Sequence, residues 1–284
     1  LITSLMITNP RVPDSSLYLV SMNVNTDPIQ IRNISGLGPV EATINTTRFG
    51  SVDGEYYQGS SVGKRNIVIT VGLSPNWITQ TVSSLRKLLY SYFMPKSSVN
   101  LYLSSDDMED VKISGYVESM EPSIFSKDPE VQISIICAQP YFEGATTRTE
   151  TGTSTNMSGA YSKLFTYTGS VPTGFTVKLE RDSADYNAGI ELLNTNWDSV
   201  DQARLFLDPV NLTTTKYLEV STHQGLKYAR AKFTNGGADI NILGSLRPGS
   251  SWPMVYNGKN YFGIRTTVAG FPWTITYKNR YGGL

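Results

Sequence analysis

The chain has little reactive side-chain chemistry: one Cys and one His among 284 residues. A single Cys excludes an intramolecular disulfide, and with it a disulfide-stapled scaffold. One Cys and one His also exclude the Cys- and His-rich zinc sites. Net charge is missing too, since 24 basic side chains balance 24 acidic ones, which leaves no basic footprint for nucleic acid. Charged residues make up 17% of the chain, below the roughly 25% of an ordinary domain, and Ser and Thr fill much of the gap. No apolar run reaches the ~18–20 residues that a membrane-spanning helix needs. The segment 1–6 has neither a basic region nor a small-residue cleavage site, so no signal peptide is expected. The Asn-x-Ser/Thr matches at Asn33, Asn45, Asn156 and Asn211 are ascribed to composition.

What the chain does have is period two. Ile67, Ile69, Val71 and Leu73 alternate with other residues, as do Val111, Ile113, Gly115 and Val117, and Val131, Ile133, Ile135 and Cys137. Further on, Phe175, Val177 and Leu179 alternate with Thr176, Lys178 and Glu180, and Trp273, Ile275 and Tyr277 with Thr274, Thr276 and Lys278. Bounded by Gly, Pro, Asn and Ser, such runs predict half-buried strands. One segment breaks the rule. From Pro75 to Met94 the residues Ile78, Val82, Leu85, Leu89 and Tyr92 recur at three- and four-residue steps, which puts them on one helical face. Ser74 as cap, Pro75 at the first position and Pro95 as stop predict a helix over about 75–94.

Residues 144–159 are almost purely Thr, Ser, Gly and charge and read as an extended connection. The predicted organisation is therefore mainly β. A domain over 1–142 carries one helix, a Thr/Ser/Gly-rich linker covers 143–160, and a β-sandwich covers 161–284.

Candidate chemistry is sparse. His223 falls between two predicted strands, where a polar hairpin turn is expected, and no spacing supplies it with a nucleophile or an orienting acid. Asp106, Asp107, Glu109 and Asp110 form the densest acidic run. The run lacks the glycine and final Glu of a calcium loop and reads as a charged hairpin tip. Gly59–Arg65 mimics part of a phosphate loop, but it leads into a strand rather than a helix. Cys137 sits on an apolar strand face and is expected to be a small buried hydrophobe. Trp197, Trp252 and Trp273, with Tyr256, Tyr261 and Tyr281, would serve either as sandwich packing or as stacking surfaces for sugars. No catalytic site, metal site or cofactor is expected, and the chain is not read as an enzyme.

Three stretches carry a resemblance. They are the polar insertion 50–59 followed by Gly63-Lys64-Arg65-Asn66-Ile67, the strand end Ile135-Ile136-Cys137-Ala138-Gln139-Pro140-Tyr141-Phe142, and the C-terminal run Trp252-Pro253, Asn257-Gly258-Lys259-Asn260 and Ile275-Thr276-Tyr277 through Arg280-Tyr281. Together they resemble the distal tail protein (Dit) family of long-tailed bacteriophages. The resemblance implies a tail-tube-like N-terminal β domain that forms a homohexameric ring at the distal end of a virion tail. It also implies a galectin-like C-terminal sandwich outside the ring. Implied partners are the major tail tube protein, the tail-tip hub and receptor-binding proteins. DNA would pass through the lumen without specific binding; the sequence leaves contractile and non-contractile tails open, with a long non-contractile tail preferred. The protein would be made in the cytoplasm of the infected bacterium. The competing reading is a carbohydrate-binding protein that recognises a receptor or cell-wall glycan through the C-terminal sandwich.

The long polar connection 48–63 is expected to form a hairpin arm that reaches a neighbouring subunit or ring. Phe49, Asp53, Tyr56, Tyr57, Lys64 and Arg65 are its candidate contact residues. Charge divides along the chain. Residues 1–142 hold 10 basic and 13 acidic side chains, and residues 143–284 hold 14 and 11. A mildly acidic first half fits a ring that passes DNA without holding it.

Overall fold

The computed structural model describes residues 2–12, 15–21, 27–51, 53–76, 78–124, 126–160, 163–180, 186–196, 203–212, 216–233 and 237–284. Trp197 lies outside the described residues. The chain divides into two compact units, one of residues 1–145 and 281–284, the other of 146–280. By these bounds the first unit holds 10 basic and 14 acidic side chains and the second 14 and 10.

The first unit contains β1 (Ile2–Thr8), β2 (Ser16–Ser21), β3 (Ile29–Ser35), β4 (Ala42–Thr47), β5 (Tyr56–Val62), β6 (Arg65–Leu73), α1 (Val82–Phe93), β7 (Ser98–Ser105), β8 (Val111–Pro122), β9 (Glu130–Cys137) and the start of β10 (Phe142–Thr153). Seven of the strands follow the order β8-β7-β1-β2-β3-β6-β9, and β9 pairs back onto β8. The sheet therefore closes on itself, with alternate residues of each strand turned inward. The inward set is the one the period-two pattern selects: Ile67, Ile69, Val71, Val131, Ile133, Ile135, Val111 and Ile113 are all buried in one cluster. Cys137 is buried in the same cluster. Burial pushes its thiol pKa up to about 11, against the opposing charge of Arg65, so the thiol is inert.

The helix adds Leu85, Leu89, Tyr92 and Phe93 to this core. It is shorter than the predicted 75–94, and the difference has a local cause. The Ser74 N–H donates to the Pro28 carbonyl (2.8 Å). Asn76 then closes a turn, its Oδ1 accepting from Ile78 N (3.1 Å) and its carbonyl from Gln80 N (2.7 Å). That Asx turn takes up the donors a helix start at Pro75 would need, and Ile78 is left 92% exposed. The helix begins only at Thr81, in a capping box. Thr81 Oγ1 accepts from Ser84 N (3.1 Å), and Ser84 Oγ accepts from Thr81 N (3.0 Å). At the other end Asn9 Nδ2 donates to the Tyr92 carbonyl (2.5 Å). Thr81→Ala is expected to lower stability by about 1 kcal/mol, read as a shifted urea midpoint at unchanged slope.

The second unit contains the rest of β10, β11 (Thr155–Asn156), β12 (Lys163–Tyr167), β13 (Thr176–Leu179), β14 (Tyr186–Asn196), β15 (Ala203–Leu212), β16 (Lys216–Ser221), β17 (Tyr228–Phe233), β18 (Ile240–Asn241), β19 (Gly258–Thr266) and β20 (Pro272–Tyr281). One sheet runs β18-β17-β16-β13-β20-β10, the other β11-β19-β14-β15 with β12 also on β19. Phe175, Val177, Leu179, Trp273 and Ile275 of the first meet Ile190, Leu192, Phe262 and Ile264 of the second in one core. This is a two-sheet sandwich.

Strand structure runs into the segment 143–160. Residues 142–153 form a strand, which pairs with β8 at Glu143↔Lys112 and Gly144↔Val111 and with β20 further along. Thr favours the strand, and backbone pairing needs no apolar alternation. Beyond it Ser154 is buried, its Oγ accepting from Phe271 N (3.0 Å).

Candidate assembly site

The feature that stands apart from both cores is the hairpin of β4 and β5. These two strands form a sheet of their own, paired from Ala42↔Val62 to Thr47↔Tyr56. Every described residue from Glu41 to Lys64 is exposed except Thr47 and Gly59, which are half-buried. A strand pair inside a domain buries one face; this one buries neither. Gly54, at φ +94°, sits in the bend between the strands, where a left-handed backbone suits glycine. Phe49 and Tyr56 meet edge-on with ring centroids 5.1 Å apart. Thr46 Oγ1 donates to the Glu55 carboxylate, and Tyr57 and Ser60 share a hydroxyl hydrogen bond (2.8 Å). The exposed apolar surface is large for so short an element: Phe49, Tyr56, Tyr57 and Ile44 are each more than half exposed. An isolated two-stranded hairpin is marginal in water, and bare aromatic area on one makes it a candidate contact surface.

The predicted contact residues divide into two groups. Phe49, Asp53, Tyr56, Tyr57 and Lys64 lie exposed on the arm or beside its root. Arg65 does not. It is 1% exposed, the first residue of β6, facing inward opposite Cys137. Its Nε donates to the Pro140 carbonyl (2.6 Å), its Nη1 to the Gly36 and Gly38 carbonyls (2.5 and 2.6 Å), and its Nη2 to the Gly282 carbonyl (2.5 Å). The guanidinium also lies 4.5 Å from the centre of the Phe142 ring. Burial lowers its pKa, with the Cys137 thiol acting in the opposite sense. Arg65 is thus a staple inside the first unit. It ties the segment that leads into the arm to the β9–β10 connection and to residues 281–284. Gly36 is the tightest point there: φ is +83°, and a Cβ would lie 1.9 Å from the Asn66 carbonyl oxygen.

Ile44 escaped the sequence reading. Its signal was an apolar residue alone in a polar run, Thr43-Ile44-Asn45. The other candidates fall where plain packing puts them. His223 is half-buried in the β16–β17 turn, with Leu226 N donating to its carbonyl (3.0 Å). Asp106–Asp110 joins β7 to β8, and Glu109 accepts from the Tyr281 hydroxyl (2.7 Å). Residues 59–65 span the end of β5, a turn and the start of β6. Trp273 is 1% exposed in the sandwich core, edge-on to Phe262 at 5.0 Å. Trp252 is half-buried under the ammonium of Lys227 at 5.7 Å. No helix among the described residues is long and apolar enough to cross a membrane.

The first unit is thus a closed β sheet with one helix and a free-standing hairpin, and the second is a β-sandwich. Residues 21–137 match the family described as phage tail protein RIFT-related domain. The particular fold is Dit-like. The chain superposes on the crystal structure of the Dit protein of phage SPP1 with a TM-score of 0.64 and 14% identity, over 97% of this chain and 98% of that one. That protein is described as a paradigm of the hub adsorption apparatus of phages that infect Gram-positive bacteria. Chains of the phage P2 baseplate in its activated conformation, with Ca and with Sr, align at TM-scores of 0.43 and 0.42 and 12% identity, over 98% and 96% of this chain and 98% of each of those chains. No curated protein sequence matches the chain significantly.

Proposed function

We propose that the protein is a structural component of a virion tail tip. Its first unit assembles into a homohexameric ring at the distal end of the tail tube and joins tube to hub. The sandwich is carried outside the ring, where adhesion components attach. The observation that carries this reading is the arm, a hairpin exposed on both faces with its aromatics bare, in a unit that matches a phage tail domain. A ring requires a patch on each copy that meets a different patch on the next, repeated by rotation. The arm supplies the first patch. The mildly acidic first unit, 10 basic against 14 acidic side chains, fits a channel that lets DNA pass. Of the aromatics that would carry a glycan reading, Trp273 is spent on the core, so the assembly reading is preferred.

Replacing residues 42–62 with a short Gly/Ser turn tests this. The closed sheet does not include β4 or β5, so the variant is expected to fold with a wild-type circular dichroism spectrum. It should run as a monomer in light scattering, whereas the parent is expected to form six-fold rings by negative-stain microscopy. Intact rings from the armless variant would overturn the reading.

A further inference from the structure

We infer that the arm of one copy docks its Arg48–Phe49 corner into a cavity beside the arm root of the next copy. This rests on the ring reading above and names the socket that reading leaves open. The cavity holds about 680 Å³ and lies within the first unit, a size typical of a built binding site. Its walls include Ile34, Leu37, Met108 and Leu284. Ile34 and Leu37 are packed on the core yet only partly covered. Asp107 and Glu109 also line it, in the acidic hairpin between β7 and β8. The one cationic lining residue, Arg32, is held close over β6: its Nε is 2.5 Å from where a Cβ on Gly72 would be. The socket is therefore apolar with a net acidic border.

The arm offers the complement. Phe49 and Tyr56 present a joined pair of rings, each more than half exposed, and Arg48 is exposed immediately beside them. An aromatic anchor with an adjacent Arg is the composition that dominates protein contacts, and Arg paired with carboxylates fixes its orientation. The spacing also suits a ring. From Ala42 to Phe49 an antiparallel strand reaches about 23 Å at ~3.3 Å per residue. In a six-membered ring the distance between neighbours equals the radius. Root-to-tip links of that length put the six roots on a circle of about 23 Å radius.

The test uses the buried Cys137, 0% exposed, as a silent background. Full-length Phe49→Cys and Met108→Cys chains are mixed, assembled and mildly oxidised, then run on a non-reducing gel. The expected result is a mixed-chain disulfide dimer that dithiothreitol abolishes. Rings that form without this crosslink, or with Phe49→Cys pairing mainly to itself, overturn the docking and leave the ring reading standing. Wild-type protein that forms no rings, alone or with tail-tip partners, overturns both. A second measurement uses charge. Arg48→Glu and Asp107→Arg should each raise the concentration for half-assembly at least tenfold, and the double variant should restore it. Single effects without restoration count against the socket.

Discussion

Arg65→Ala is expected to destabilise the first unit by at least ~3 kcal/mol, because four carbonyls lose a charged donor inside the fold and each unsatisfied group costs about 1–3 kcal/mol. The acceptors are spread over three separate chain segments, Gly36 and Gly38, Pro140, and Gly282. Once the guanidinium is gone, the Leu284 N–H still donates to the Leu37 carbonyl (3.0 Å), but that single bond does not replace four. Truncation also leaves a void against the Phe142 ring, over which the guanidinium is stacked. Arg65→Lys should recover only part of the loss. A single ammonium cannot span Gly36 on one side and Gly282 on the other, and it lacks the planar fork. The measurement is urea unfolding followed by circular dichroism, with amide exchange at residues 36–40 as a local readout. If Arg65→Ala loses less than 1 kcal/mol and those amides stay protected, the staple has no energetic weight. If the loss is large, the consequence reaches function: the arm then projects from a root whose direction is set by one buried cation.

Arg65 also shows where reading the sequence works and where it stops. The inward faces of β6, β9 and β13 were legible because burial on one side imposes strict alternation. That alternation already contained the clue. Arg65 has the same parity as Ile67, Ile69 and Val71, and so points inward with them. A charge in that phase signals a satisfied buried cation; reading it as surface followed residue type and ignored position. The strand at 142–153 was illegible for the opposite reason. Its burial pattern after Gly144 is mostly exposed, so no apolar period marked it, and its order comes from backbone partners distant in sequence. The helix was visible from its stripe, but its start was decided by a contest between two caps. The Asn76 turn took the early donors and Thr81 with Ser84 took the later ones, a matter of hydrogen-bond geometry that propensity does not resolve. The arm was legible as a long polar insertion with aromatics. Its exposure on both faces was not, since that depends on the closed sheet excluding β4 and β5.

The second large effect separates the two readings of the sandwich. Trp273→Ala is expected to cost the second unit about 3–5 kcal/mol, the range for deleting a large buried ring. The indole is enclosed by Phe262 at 5.0 Å and by Gly152, where a Cβ would lie 2.4 Å from its Cζ2. Gly152 is therefore the small partner that makes room for the ring, and Gly152→Ala should be destabilising for the same packing reason. Trp252→Ala is the matched control. That ring is half-buried beneath Lys227 and packed against the rim of the core, and its loss is expected to cost less than that of Trp273. If Trp273 worked as a sugar platform, its removal would abolish glycan binding and leave the unfolding midpoint in place. If it is core, the midpoint falls steeply and any glycan affinity tracks only the fraction folded. Denaturation of both variants, with glycan-array binding measured well below their midpoints, decides between the two. A stable Trp273→Ala protein that has lost a glycan ligand would return the sandwich to the role of receptor-binding domain. The expected collapse of its core leaves the sandwich a scaffold that presents other surfaces.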